Sequence, residues 1–505
     1  MKKTAVLLMI IAVLSKVSGF LRDITLSFFY GATSTSDAYI ISITITTVLF
    51  NLIISGISTA YIPMFKQIEH EKGHQSASIF TNNLINIVLL VTTAVIVMGF
   101  LFSNILVKLF ALGFDGETLN TTVLFTRIGL VGIYFTSLTQ FFTSYLQLHG
   151  KFTIPAMIGF PFNIIIILSI VISSSQSNIM ILAIGSVLAA VIQMFFLVPS
   201  LNKTNYRYTP ILQFTDKNIK KMAGIVFPIM IGISIDQINL MVDKTLASKL
   251  VEGGISALTY ASRLNDFVQG IFVLSFVTVM FPLISNMAAK KNTEDFKASI
   301  SEVISSVILI VVPASIGIMI LAEPIIRMLF GHGHFDDRAI DMTSHALFFY
   351  SIGMIGYGFR EILNRTFYSL QDTKTPMYNA SLSVVLNIVL NFILSSYMGI
   401  SGLALATSIS ALFCSTLLVI KLRKKIGSFG LKGNFITFMK VIFAATVMGI
   451  IVYVMNEYVL TGWNALFKMT VVIFTGSVIY FILIILLKVK ESKLFLNYLR
   501  KRIHL

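Results

Sequence analysis

Apolar runs long enough to cross a bilayer, about 20 residues each, follow one another from one end of this chain to the other. Fourteen can be marked out, near residues 5–30, 36–62, 79–107, 121–147, 154–174, 178–200, 222–248, 255–287, 299–330, 342–369, 376–397, 400–420, 436–456 and 464–487. The longest polar connections are 64–78, 202–221, 288–298, 331–341, 422–435 and the tail from 488, and none is large enough to be a soluble domain. Only 12% of the 505 residues are charged, against roughly 25% in a soluble domain. A water-soluble fold of this size would lack a charged skin, so a soluble enzyme and a disordered chain are excluded. The single cysteine, Cys414, excludes a disulfide scaffold. The runs are long and continuous rather than short and alternating, which argues against a β-barrel. The expected fold is an all-α integral membrane protein of about fourteen transmembrane helices.

The N-terminus, MKKTAVLLMIIAVLSKVSGF, imitates a secretory signal. Lys16 interrupts its apolar stretch, however, and no small-residue cleavage site follows. It reads as a retained first membrane helix. The net charge of +16 has its simplest source in the lysine and arginine excess of cytoplasmic loops, and nucleic acid is not expected as a partner. With both termini inside, 26 of the 38 lysines and arginines fall in cytoplasmic segments and 5 at outer ends, and the other 7 lie within helices. That asymmetry sets the expected orientation, with both termini cytoplasmic.

The chain also repeats itself. Tyr39 and Tyr260 are 221 residues apart, Pro63 and Pro282 are 219 apart, Tyr145 and Tyr368 are 223 apart, and Pro155 and Pro376 are 221 apart. Chance similarity between apolar helices would not keep such a register. Runs one to six and seven to twelve are two copies, and an even number of crossings gives both copies the same orientation. The expected organisation is an N-lobe (1–201), a cytoplasmic linker (202–221), a C-lobe (222–421) and two further helices with a basic tail (422–505). In transporters built from parallel repeats, substrate sites lie between the halves.

Four stretches, LSKVSGFLRD (14–23), SDAY (36–39), YASRLNDF (260–267) and FYSLQDTKTP (367–376), resemble the signatures of the MurJ/MviN lipid II flippases. These belong to the multidrug/oligosaccharidyl-lipid/polysaccharide exporter superfamily. The resemblance spans the first twelve helices. It implies two six-helix lobes, a V-shaped cavity, and two extra helices that form a groove for a lipid tail. It also implies a lipid-linked diphosphate glycan (lipid II) as substrate, membrane lipids and cell-wall synthesis proteins as partners, and a place in peptidoglycan synthesis and cell shape. Two departures stand out: Lys16 replaces the usual arginine after Ser15, and the stretch TTVLFNLIISG carries Asn51 and no cation.

Ionisable residues inside helices are the informative ones, since each costs at least ~2.5–3.5 kcal/mol at a helix centre. Lys16 and Arg22 flank Ser18-Gly19 in the first run, and Arg263 lies near the middle of the eighth. These three match cationic positions of the family's central cavity. A guanidinium suits a diphosphate because it gives paired hydrogen bonds to phosphate oxygens. Asp37 and Arg360 complete the candidate substrate-binding set. The competing reading is internal pairing, of Arg22 with Asp23 or Asp37 and of Arg263 with Asp266. Arg360 and Glu361 are adjacent, so they cannot share a helix face. Arg365 reads as a snorkelling residue, and Arg127 as one that reaches the interface.

A second constellation comprises Asp243, Asn387, Asn391 and Thr407. One carboxylate with amide, hydroxyl and backbone oxygens makes a hard-cation set, and Na⁺ would fit as a coupling ion. Sodium coupling has been proposed for such flippases, which adds support from the resemblance. The alternative is that Asp243 pairs with Lys244 or Arg263 while the asparagines bond between helices.

No GxxxxGK[ST], HExxH or nucleophile elbow occurs, so no enzymatic activity is expected. His332 and His334 read as part of a solvated loop. Besides lipid II transport, the open readings are a flippase for another polyprenyl-linked glycan and a cation-coupled drug exporter. A non-transporting scaffold would not need ionisable groups deep in both lobes. Bending of the first helix at Ser18-Gly19, and of the seventh at Gly224, Pro228 and Gly232, is expected to accompany alternating access.

Overall fold

The structure is a computed structural model and describes residues 2–204, 206–289, 293–460 and 462–489. It is helical throughout, with no strand among the described residues. The helices are α1 (Lys2–Tyr30), α2 (Ser34–Leu101), α3 (Ser103–Phe110), α4 (Gly116–Leu148), α5 (Thr153–Met157), α6 (Gly159–Ser175), α7 (Met180–Asn202) and α8 (Lys217–Leu250). They continue as α9 (Gly254–Ala289), α10 (Thr293–Ile320), α11 (Ala322–Leu329), α12 (Asp337–Ser369), α13 (Lys374–Met398), α14 (Ile400–Ile426), α15 (Leu431–Val454) and α16 (Ala465–Leu486). A π turn, Met455–Val459, extends α15.

All fourteen apolar runs fall in helix. Eleven stretches among the described residues are long and apolar enough to cross a membrane. The runs carried by α1, α9 and α12 are not among those eleven. In α12 the reason is visible in its sequence, where Arg360, Glu361 and Arg365 interrupt the apolar residues.

Two boundaries differ from the sequence expectation. Pro63 does not end the second helix, since α2 runs through it and breaks only at Gly73, where φ is 82° and ψ is 167°. A proline removes one i→i−4 bond, but a positive φ takes the backbone out of the helical region altogether. The apolar runs 79–107 and 299–330 each end in a separate eight-residue helix, α3 and α11. Their preceding residues, Phe102 and Leu321, share nearly one backbone conformation (φ −102°, ψ 21° and φ −97°, ψ 17°) and stand 219 residues apart. The duplication therefore extends to its kinks.

Polar connections start several helices. Asp216 accepts from the backbone N–H of Asn218 (2.7 Å) and Ile219 (3.2 Å) before α8, and Asp336 accepts from Ala339 N–H (2.8 Å) before α12. These side chains take up N–H groups that have no partner inside the first turn.

The chain divides into two compact units. One comprises Met1–Ser256 with Gly333–Phe335, and the other Ala257–His332 with Asp336–Leu505. In the first, α2 packs on α4 and α8, α4 and α6 on α7, and α1 on α6. In the second, α12 and α13 pack on α14, and α10 on α12 and α15. The α12–α14 seam depends on two glycines. A Cβ at Gly353 would lie 2.7 Å from Ser408 Cα, and one at Gly356 would lie 2.7 Å from the Ala411 carbonyl carbon. Small residues let membrane helices approach this closely. Gly356→Val should therefore destabilise the protein by about 1–3 kcal/mol through overpacking. Gly433→Ala, where a Cβ meets nothing within 4 Å, should leave the thermal midpoint in detergent at or above the parent value. Equal midpoints for the two variants would contradict the seam.

Candidate functional site

In the first unit, α1 brings Arg22 to the wall of a small cleft of about 110 Å³. The other walls are apolar or hydroxylic: Thr46, Thr47 and Phe50 of α2, Thr136 of α4, Phe162 of α6 and Ser186 of α7. Arg22 is the one ionisable residue in this lining. Its guanidinium is tied from two directions. Nε and Nη2 donate to Asp23 Oδ1 (3.0 and 2.8 Å), and Nη1 donates to Asn163 Oδ1 of α6 (3.3 Å). Asn163 Nδ2 in turn donates to Ser18 Oγ (2.9 Å), whose hydroxyl donates to Ser15 O (2.7 Å). The pairing of Arg22 with Asp23 weighed from the sequence is thus present, and Arg22 lines the cleft as well. These bonds take three of the five guanidinium N–H donors. An anion entering the cleft therefore meets a charge that is already oriented.

The Ser18-Gly19 step lies within continuous helix. A Cβ on Gly19 would sit 3.6 Å from Asn163 Nδ2, which is ordinary contact, so this glycine is not required by packing. α8 likewise passes through Pro228 as one helix. Lys16 is exposed on α1.

Asp37 takes a different place from Arg22. Its carboxylate is buried and accepts Gly253 N–H at Oδ2 (2.9 Å), and Ser256 N–H (2.7 Å) and Ser256 Oγ–H (2.5 Å) at Oδ1. Gly253 has φ of +78°, and a Cβ there would lie 2.0 Å from Ala32 O. Only glycine fits both demands. The SDAY stretch and the paired glycines are therefore two halves of one clasp at the start of α9. A lone sequence shows an aspartate and a glycine turn, but not that one caps the other from 216 positions away.

In the second unit, Arg263 is exposed on α9. Arg360 stacks over the Tyr357 ring at 5.2 Å. Its neighbour Glu361 accepts from Arg365 Nε (2.9 Å) and is paired with Arg365 Nη2 at 2.8 Å. The adjacent pair thus splits as helix geometry requires, Glu361 towards the next turn and Arg360 onto an aromatic face. Arg127, in the first unit, donates to Ser103 Oγ (2.8 Å) and lies over Phe100.

Three members of the ion constellation meet. Asn391 Nδ2 donates to Asn387 Oδ1 (3.0 Å), and Asn387 Nδ2 donates to Thr407 Oγ1 of α14 (3.4 Å). Asp243 belongs to the first unit and the other three residues to the second. Among the described residues no group of three or more histidine, cysteine or acidic side chains could hold a metal ion.

The QDTKTP stretch also resolves into contacts. Asp372 accepts from Lys425 Nζ (2.5 Å), Thr375 N–H (3.0 Å) and Thr375 Oγ1 (2.9 Å). The Lys425 bond, then the Thr375 N–H, holds its carboxyl down at about 2. A depressed carboxyl contributes above its unfolded value and loses that contribution as pH falls through the folded one. This tie between the start of α13 and the end of α14 is therefore intact at neutral pH.

The profile of the family described as "Lipid II flippase MurJ" matches residues 26–474. The chain belongs to this MurJ family. A protein of Burkholderia cenocepacia described as "Lipid II flippase MurJ" is 25% identical over 421 residues, 82% of each chain. One of Thermotoga maritima, described as "Probable lipid II flippase MurJ", is 26% identical over 478 residues, 94% of each. A solved structure, "Lipid II flippase MurJ, inward closed conformation", matches with a TM-score of 0.82 at 26% identity, covering 95% of this chain and 98% of that one. An inward-facing multidrug transporter of the MATE family matches at 0.72 with 13% identity, over 84% of this chain and 98% of that one, which establishes a shared fold. The MurJ resemblance read from four short motifs is thus matched over most of the chain.

Within this MurJ-family chain, Asp37 can be separated from Arg22 by experiment. Asp37→Ala strands two backbone N–H groups, at a cost of about 1–3 kcal/mol each. It should lower the thermal midpoint well below that of Ser256→Ala, which removes a hydroxyl and leaves the carboxylate to its N–H partners. An unchanged midpoint in Asp37→Ala would contradict the clasp.

Proposed function

We propose that this protein carries lipid II, the undecaprenyl-diphosphate-linked peptidoglycan precursor, from the inner to the outer leaflet by alternating access. The observation that carries the reading is Arg22, a guanidinium held by Asp23 and Asn163 at the wall of an otherwise uncharged cleft, in a chain of the MurJ family. A diphosphate offers what that guanidinium can use: two units of negative charge on oxygens spaced for paired N–H donors. The threonines and the serine of the cleft wall can bond sugar or phosphate oxygens without preferring a charge. Lys16, Arg263 and Arg360 are the further cations of the proposed substrate path. Asp37 supports it from a distance by fixing the start of α9. No step breaks a covalent bond, so the protein acts as a transporter rather than an enzyme.

Sodium is the proposed coupling ion. The amide oxygens of Asn387 and Asn391 and the hydroxyl of Thr407 supply hard oxygen donors. Both termini are proposed to be cytoplasmic, from the distribution of lysine and arginine.

Arg22→Ala should reach the membrane in normal amounts and fail to sustain growth as the sole lipid II flippase, and Arg22→Lys should restore growth only partly because the planar fork is lost. Full growth on Arg22→Ala would overturn the diphosphate reading. A cysteine placed in 331–341 should label from outside intact cells, and one in 215–221 only after permeabilisation. The reverse pattern would overturn the orientation. Replacing Na⁺ with K⁺ should slow transport by the parent protein and have little further effect on Asn391→Ala. Indifference of the parent to Na⁺ would remove the ion from the account.

A further inference from the structure

The linker between α7 and α8 does not hang free in water. Its residues 206–213, which form no regular element, lie against the second part of α2, where three asparagine side chains grip the linker. Asn82 Nδ2 donates to Arg207 O (3.0 Å) and Thr209 Oγ1 (2.8 Å), and Asn82 Oδ1 accepts from the Tyr206 hydroxyl (2.7 Å). Asn83 pairs with Gln213 as a neighbouring strand would, donating to its carbonyl (2.9 Å) and accepting its N–H (2.7 Å). Asn86 donates to Ile211 O (2.9 Å) and accepts from the Tyr208 hydroxyl (2.7 Å). Pro210 has no N–H to satisfy.

Such an arrangement answers a need that water would otherwise meet. Irregular backbone is tolerated at membrane depth only where its polar groups find protein partners. The depth follows from α2 itself. Its exposed apolar surface continues past Leu101 and Phe102 to Ile105 and Leu109 of α3, within the apolar run 79–107. A hydrocarbon layer of about 30 Å is crossed by about 20 helical residues. Counted back from 107, that length ends near residue 88, so Asn82, Asn83 and Asn86, in the first two turns of the run at its Gly73 end, lie at the outer rim of the hydrocarbon. The gripped segment is also free of charge from Tyr208 to Thr215, between Arg207 and Asp216. In this segment Tyr208, Leu212 and Phe214 are 56%, 49% and 53% exposed.

We propose that residues 206–214 form a membrane-interfacial strap: the three asparagine amides hold it to α2 through the Arg207, Ile211 and Gln213 carbonyls and the Gln213 N–H, and Tyr208, Leu212 and Phe214 enter the boundary between phospholipid headgroups and acyl chains. The partner is the lipid leaflet at the Gly73 end of this span. Tyrosine is enriched at such a boundary, because it joins an apolar ring to a polar hydroxyl.

The test uses full-length protein carrying Cys414→Ser and a bimane on Leu212→Cys, reconstituted in phosphatidylglycerol–phosphatidylethanolamine vesicles. Phospholipid with a doxyl group near the top of its acyl chain should quench the bimane, and aqueous iodide should quench it much less than a bimane on Lys217→Cys. Adding Asn83→Ala, or Asn86→Ala should the first variant fold poorly, should exchange the two behaviours, with doxyl quenching lost and iodide quenching gained. Iodide quenching of Leu212→Cys equal to that of Lys217→Cys would overturn the proposal by placing the segment in water. Shielding from both quenchers would overturn it in favour of a protein cover. Unchanged quenching in both asparagine variants would overturn the role given to the amides.

Discussion

A polar group taken into hydrocarbon must bring its hydrogen-bond partner with it, and that constraint explains the placing of most of the informative residues here. An unbonded amide or hydroxyl costs several kcal/mol in an apolar medium, and an unpaired charge costs more. The protein meets the requirement repeatedly with short side chains. Asn163 receives the outer edge of the Arg22 guanidinium while holding Ser18 with its amide nitrogen. Asp37 receives the first N–H groups around α9. Asn82, Asn83 and Asn86 receive three carbonyls and one N–H of the linker. In each of these three places an asparagine or an aspartate marks where another segment arrives.

The same constraint bears on transport. Arg22 cannot stand alone in a membrane, and a cation locked in a tight buried pair would have little to offer a ligand. Here two of its nitrogens share a single carboxylate oxygen, and the third meets only a neutral amide. The charge is balanced without being enclosed, with the side chain 23% exposed at the cleft. A diphosphate can join such an arrangement without first stripping the cation of its partners.

Much of this was legible in the sequence. Apolar run lengths foretold helices that the structure contains, and the near-constant offset of Tyr39, Pro63, Tyr145 and Pro155 from their counterparts foretold a repeat that even the kinks before α3 and α11 obey. Local pairing was also legible: Arg22 with its neighbour Asp23, and Arg360 facing away from Glu361. Contacts between distant segments were not. Asp37 read as a substrate-binding residue or a partner of Arg22, because nothing nearby in sequence reveals Gly253 and Ser256 as its partners. The connection 202–221 looked like polar linker because its lysines dominate the average, hiding the uncharged 208–215 and the asparagines that hold it. The persistence of α2 beyond Pro63 was missed for a related reason. A proline's lost bond is a local signal, and the tertiary packing of Tyr61, Phe65, Phe80 and Phe141 outweighs it.

The central claim is that this protein delivers lipid II to the outer leaflet, and it is tested most directly by measuring on which leaflet lipid II resides. In cells that depend on this protein, lipid II can be counted by its cleavage with a membrane-impermeant enzyme that attacks the exposed headgroup. On depletion of the protein, the cleavable fraction should collapse while total lipid II rises, and re-expression of the parent chain should restore it. A cleavable fraction that stays constant through depletion, with no other lipid II flippase present, would contradict the account.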